Sequence, residues 1–155
     1  MWRYGDVRPS LMEAGRVVTA KDAFRRVLAL ENPSFKGEMR VTNTLYAGLQ
    51  LVLPGELAPC HRHTQTAIRF VIEGEGAYTS VDGERTRLHP GDFVITSSWT
   101  WHDHVNEGSE PVVWLDCLDV PLVDFLDLAF RESYPEERHP IVRPDDDAQA
   151  RYGAA

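Results

Sequence analysis

Residues 40 to 120 predict an all-β fold, an antiparallel sandwich or barrel. Three observations carry this. Short runs rich in β-branched and aromatic residues follow one another: RVTNTLYAGLQLVL, TAIRFVIEG, GAYTSV, DFVITS and PVVWLDCLDV. Turn signals separate them, at Pro54-Gly55, Glu73-Gly74-Glu75-Gly76, Asp82-Gly83, Pro90-Gly91 and Gly108. Asp82-Gly83 stands between two alternating runs, the pattern of a tight hairpin. Many short strands at this spacing suit a sandwich or a closed barrel.

Short helices are expected to flank the β region. TAKDAFRRVLALEN (19–32) reads as a helix over about 20–31. Thr19 and Asp22 fit a capping box, Phe24, Val27, Leu28 and Leu30 form an apolar side, and Asn32-Pro33 ends it. PLVDFLDLAF returns to helical spacing through Leu122, Phe125, Leu126 and Ala129, giving a second helix over about 121–131. The rest, 132–155, is polar and Pro-rich and reads as a linker or extended arm. No internal repeat is present, so the chain is read as one domain over 1–155.

The chain has 155 residues, 43% of them apolar and 10% aromatic, enough for one core. A net charge of -8 with no basic stripe argues against nucleic acid. An anionic ligand must therefore meet local positive charge. Cys60 and Cys117 lie far apart in apolar stretches and read as reduced core thiols. Cys60 adjoins His61, but neighbouring strand residues face opposite ways, so it is not counted as a ligand. No apolar run is long enough for a membrane span, and MWRYGDVRPS lacks the apolar stretch of a signal peptide. A cytoplasmic location is the default expectation.

Four of the six histidines fall in two pairs, His61-x-His63 and His102-x-His104. In a strand, residues two apart share a face, so each pair presents both rings together. Three neutral imidazoles suit iron(II), nickel, copper or zinc, and three protein ligands leave coordination positions open for chemistry. A polar barrel interior or an exposed strand face is the plainer alternative for either pair taken alone.

These residues resemble the two cupin motifs. The first appears as Gly55, His61, His63 and Gly74, the second as Gly91, His102 and Asn106. The resemblance implies a cupin fold, a small jelly-roll barrel, with His61, His63 and His102 as metal ligands. The chain departs from the motifs twice. Ser97 and Trp99 replace a Pro and a Gly, and the Glu ligand of the first motif falls at Ala67. Without that carboxylate, the charge of the ion stays uncompensated by its three neutral ligands, which suits a dianionic, chelating substrate.

Longer stretches are similar to the gentisate 1,2-dioxygenase family: RRVLALENP, TNTLYAGLQLVLPGE, HRHTQTAIRFVIEGEGAYTSVDGER, HPGDFVITSSWTWHDH and PVVWLDCLDVPLV. The family comprises bicupins, usually oligomeric, with working iron in the N-terminal cupin. The resemblance implies the N-terminal half of such a protein and a homo-oligomer. It implies iron(II) as cofactor, with an aromatic acid and dioxygen as substrates and no organic cofactor. The expected reaction opens gentisate between the carboxyl-bearing and adjacent hydroxyl-bearing carbons to give maleylpyruvate. Salicylate, 1-hydroxy-2-naphthoate, or metal binding without turnover are the alternatives.

Residue roles follow from strand parity and side-chain chemistry together with this resemblance. Arg69 shares parity with His61 and His63, and its guanidinium matches a substrate carboxylate. His104 is expected to contact the substrate's ring oxygens and move a proton, without binding metal. Arg25 matches a family arginine that closes over the substrate, with Arg26 the competing choice. Tyr46 and Gln50 are expected to line the pocket, Tyr46 in particular resembling the gentisate enzymes. Trp99, Trp101 and Trp114 read as packing residues, and Asp103 as a carboxylate orienting a neighbouring histidine. His89 and His139, in loop-like context, receive no role.

Overall fold

The computed structural model describes residues 1–19 and 26–153. Ten strands are formed among them: β1 (Val27–Ala29), β2 (Tyr46–Val52), β3 (Leu57–His63), β4 (Ala67–Glu73), β5 (Ala77–Val81), β6 (Glu84–Arg87), β7 (Phe93–Thr96), β8 (His102–Asn106), β9 (Val112–Leu118) and β10 (Arg131–Ser133). They pair antiparallel in two five-stranded sheets, ordered β1-β2-β9-β4-β7 and β10-β3-β8-β5-β6. The all-β expectation holds. The Asp82-Gly83 hairpin joins β5 to β6, with φ of 44° and 83°, the left-handed pair that such a turn requires.

β2 does not alternate in burial, because both of its faces are covered. Val52 joins Val71, Ala77, Leu88, Val112 and Trp114 in a cluster between the sheets. Leu49 and Leu51 point the other way and pack, with Val113, against Leu11 of helix α1 (Tyr4–Val17). Gly15 lets that helix lie close: a Cβ there would stand 2.8 Å from Leu51 Cδ2. Arg8 on α1 donates twice to the Glu73 carboxylate, at 3.0 and 2.8 Å. These hydrogen bonds hold the Glu73 carboxyl below its ordinary range. At the end of β8, the Asn106 amide donates to Val52 O and Glu110 O, and its oxygen accepts from Gly108 N–H. One side chain thus ties β2, β8 and the turn into β9 together.

The helix expected over 20–31 needs correction. Residues 20–25 lie outside the described residues, but Val27–Ala29 forms strand β1 on the edge of β2. Leu28 then faces the cluster under α1, so sheet pairing has overridden a helix-like spacing. The N-terminal helix lies at 4–17 instead, where Pro9, Gly5 and Gly15 obscure the helical signal. The second helix is also shorter than expected: α2 spans Val120–Phe125. Asp127, at φ 54°, turns the chain, and Arg131–Ser133 pairs with β3 as β10. Beyond it the chain continues as an arm bonded to the barrel: Tyr134 N–H to Cys60 O, Val142 and Arg143 N–H to Gly83 O, and Asp146 N–H to Arg85 O. No helix among the described residues is long and apolar enough to cross a membrane.

Candidate metal centre

β3 and β8, neighbours in one sheet, bring three of the histidines together. His61 and His63 project inward from β3, and His61 lies directly opposite His102 of β8. All three rings are buried. Their centroids stand 4.3 Å (His61–His102), 4.8 Å (His63–His102) and 5.6 Å (His61–His63) apart.

Each ring is oriented by a backbone carbonyl. His61 Nδ1 lies 2.7 Å from Pro59 O, His63 Nδ1 2.8 Å from Gln65 O, and His102 Nδ1 2.9 Å from Thr100 O. A carbonyl oxygen only accepts, so each Nδ1 carries the proton and each Nε2 keeps its lone pair. One ring nitrogen from each histidine lies within 4.8 Å of the other two, and His102 Nε2 is buried without a hydrogen-bond partner. Burial above all, then the Arg69 charge, holds the His102 imidazole well below its usual pKa and so keeps it neutral. Three neutral imidazoles converging in this way fit a borderline divalent ion. Ala67 is fully buried and brings no carboxylate to the group.

His104 lies beside the three-histidine group. It is fully buried, with its Nδ1 2.9 Å from Thr79 Oγ1 and its ring centroid 5.7 Å from that of His102 and 5.3 Å from Trp114. Arg69 is buried too. Its Nε lies 3.2 Å from Asp116 Oδ1, and its Nη1 donates to the Thr96 hydroxyl. Asp116 lies opposite Arg69 in the β4–β9 register, a pairing that no local pattern announces.

Tyr46 and Gln50 share the inward face of β2 with Gly48 between them. A Cβ on Gly48 would stand 2.5 Å from the Tyr46 hydroxyl and from Val27 Cγ1, so this close packing requires glycine. Gln50 lies opposite Trp114, and both are buried. Trp114 is the packing residue expected, whereas Trp99 and Trp101 are both stacked by the Arg62 guanidinium, at 4.5 and 4.4 Å. Arg25 lies outside the described residues. Arg26 is committed elsewhere: it donates to both Glu56 carboxylate oxygens, at 3.0 and 2.6 Å, and to Val18 O and Leu51 O. It therefore clamps backbone at the base of the sheet and is corrected as a substrate-closing candidate.

A cleft of about 280 Å³ opens onto His63, lined also by Gln65, Leu118, Val120, Phe130 and Arg131. Arg131 was not foreseen. It lies opposite His63 because β10 adds to the sheet, and sequence spacing carries no sign of that pairing. Asp103 faces away from the metal centre. The histidine it orients is His139, previously given no role, whose buried Nδ1 lies 2.8 Å from Asp103 Oδ2.

Comparison with known proteins agrees with this geometry. The profile of the cupin domain matches residues 48–118. A gentisate 1,2-dioxygenase from Aquipseudomonas alcaligenes is 57% identical over 99% of this chain and 44% of its own length. One from Ralstonia sp is 48% identical over 83% of this chain and 37% of its own length. The crystal structure of a salicylate 1,2-dioxygenase from Pseudoaminobacter salicylatoxidans with gentisate superposes with a TM-score of 0.90 at 33% identity, covering 99% of this chain and 42% of that one. The chain thus spans less than half the length of these relatives. With its two sheets closing on three inward histidines, it belongs to the gentisate 1,2-dioxygenase family, as a cupin domain.

Proposed function

We propose that this chain is the metal-bearing part, and the N-terminal half, of an iron(II)-dependent dioxygenase that cleaves the ring of gentisate to give maleylpyruvate. The observation that carries the reading is a three-histidine group that, among the described residues, includes no carboxylate, with the charge of buried Arg69 acting on His102. Such a site is strongly cationic once loaded. It favours a substrate that brings two anionic oxygens, as a carboxylate with an ortho hydroxyl does.

His61, His63 and His102 would hold the ion through Nε2. Iron(II), when bound, supplies the redox centre at which dioxygen and a chelating aromatic acid meet. Arg69 fixes the substrate carboxylate, and Asp116 and Thr96 restrain its guanidinium. His104, steadied at Nδ1 by Thr79, uses Nε2 to hold a proton at a ring oxygen. Trp114 walls the interior and excludes water, while Tyr46 and Gln50 line the approach to the ring. Arg25 keeps the closing role that its family resemblance implies. The neighbour named for salicylate and crystallised with gentisate favours salicylate as the second reading.

Two free cysteines, Cys60 and Cys117, support a cytoplasmic setting. Phe70, Phe93 and Ile95, exposed together on β4 and β7, support a homo-oligomer. The test is oxygen uptake by the chain reloaded anaerobically with iron(II). Uptake on gentisate, matched by ring-opened product and exceeding that on salicylate, is expected. Uptake on salicylate alone would displace the gentisate reading, and none on either acid with iron bound would limit this chain to binding.

A further inference from the structure

A second group of chemistry-bearing side chains, Cys60, Asp103 and His139, lies buried on the outer side of the strands that carry the metal histidines. Strand parity puts it there. Cys60 precedes His61, and Asp103 sits between His102 and His104, so both point away from the barrel interior. His139 comes from the C-terminal arm. Its Nδ1 lies 2.8 Å from Asp103 Oδ2 and 3.4 Å from Cys60 Sγ, and its Nε2 accepts the Gly83 N–H at 2.9 Å.

That last bond decides what the group is. A nitrogen that accepts an N–H carries no proton, so His139 is the Nδ1–H tautomer and donates toward Asp103. A metal ion at Nδ1 would need that lone pair and would put the ring proton on Nε2, head-on against the Gly83 N–H. The group is therefore a hydrogen-bonded clamp, not a metal site.

What it clamps lies directly behind the metal centre. The β3–β8 register slips between Ala58 and His61, leaving a bulge at Pro59 and Cys60. The arm satisfies the bulge: Cys60 N–H donates to Glu137 O at 2.8 Å, and Cys60 O accepts from Tyr134 N–H at 3.0 Å. Pro59 O, in the same bulge, is the acceptor that orients His61.

We infer that the C-terminal arm is part of the metal centre, and that His139 is a positioning residue setting the spacing of His61 on β3 against His102 on β8 from outside the barrel. This rests on the three inward histidines being metal ligands. Iron(II) affinity, measured by chelator competition on the full chain at a temperature where circular dichroism shows each metal-free protein folded, tests it. His139→Leu should weaken iron(II) binding about 10- to 100-fold, as loss of an outer hydrogen-bonding partner does. His139→Asn, too short to reach Gly83 and Asp103 together, carries the same expectation if the leucine variant does not fold. His139→Gln should recover most of the affinity, because its amide accepts from Gly83 and donates to Asp103. Wild-type affinity in His139→Leu or His139→Asn, or equal weakness in the glutamine variant, would overturn the inference. A wild-type chain that binds no iron(II) would remove the metal centre itself, and the inference with it.

Discussion

His63→Ala is expected to abolish tight iron(II) binding and leave the barrel folded. His63 ends β3 at the mouth of the centre, where the cleft admits solvent. Truncating it removes one of three ligands without opening a sealed cavity. The clusters around Trp114 and around Leu11, which hold the sheets to each other and to α1, do not include it. The affinity loss should exceed the roughly 100-fold that removing an outer hydrogen-bonding partner costs. Chelator competition checks the affinity, and a cooperative thermal transition by circular dichroism checks the fold. Stoichiometric iron retained by this variant would remove His63 from the ligand set.

Arg69→Leu should be the most destabilising single change in the barrel interior. It leaves the Asp116 carboxylate buried, 3% exposed, without the guanidinium that faces it at 3.2 Å. Removing one partner of a buried ion pair costs about 3–5 kcal/mol, chiefly because the other charge stays in a low-dielectric interior. Asp116→Leu should cost a similar amount by stranding Arg69. The double variant Arg69→Leu with Asp116→Leu should recover most of the loss, because no uncompensated charge remains. Urea unfolding of the four proteins measures this directly. Additive losses in the double variant would show that the two side chains do not act as a pair.

Each histidine pair was legible because it depends on one short-range rule. Alternation in a strand puts His61 beside His63 and His102 beside His104 on common faces, whatever the rest of the sheet does. The Asp82-Gly83 hairpin was legible for the same reason, since two residues dictate its turn. What depends on register or on long-range pairing was not. Asp116 meets Arg69, and Arg131 meets His63, only because particular strands align. The segment after Arg25 has helical spacing but pairs as an edge strand, while the actual N-terminal helix hides behind Pro9 and two glycines. The arm after β10 reads as polar connector, yet its backbone completes the bulge behind His61. His139 carried no sequence signal, since its partners lie 36 and 79 residues away.

The central claim is that the three-histidine centre and Arg69 together form a site for a chelating aromatic acid. Anaerobic calorimetric titration of gentisate into the iron(II)-loaded chain, and into the same chain without metal, tests it most directly. One equivalent of gentisate should bind the loaded protein, with binding lost or greatly weakened when the metal is removed. Equal binding with and without iron(II), or none to a chain shown to hold iron, would contradict it.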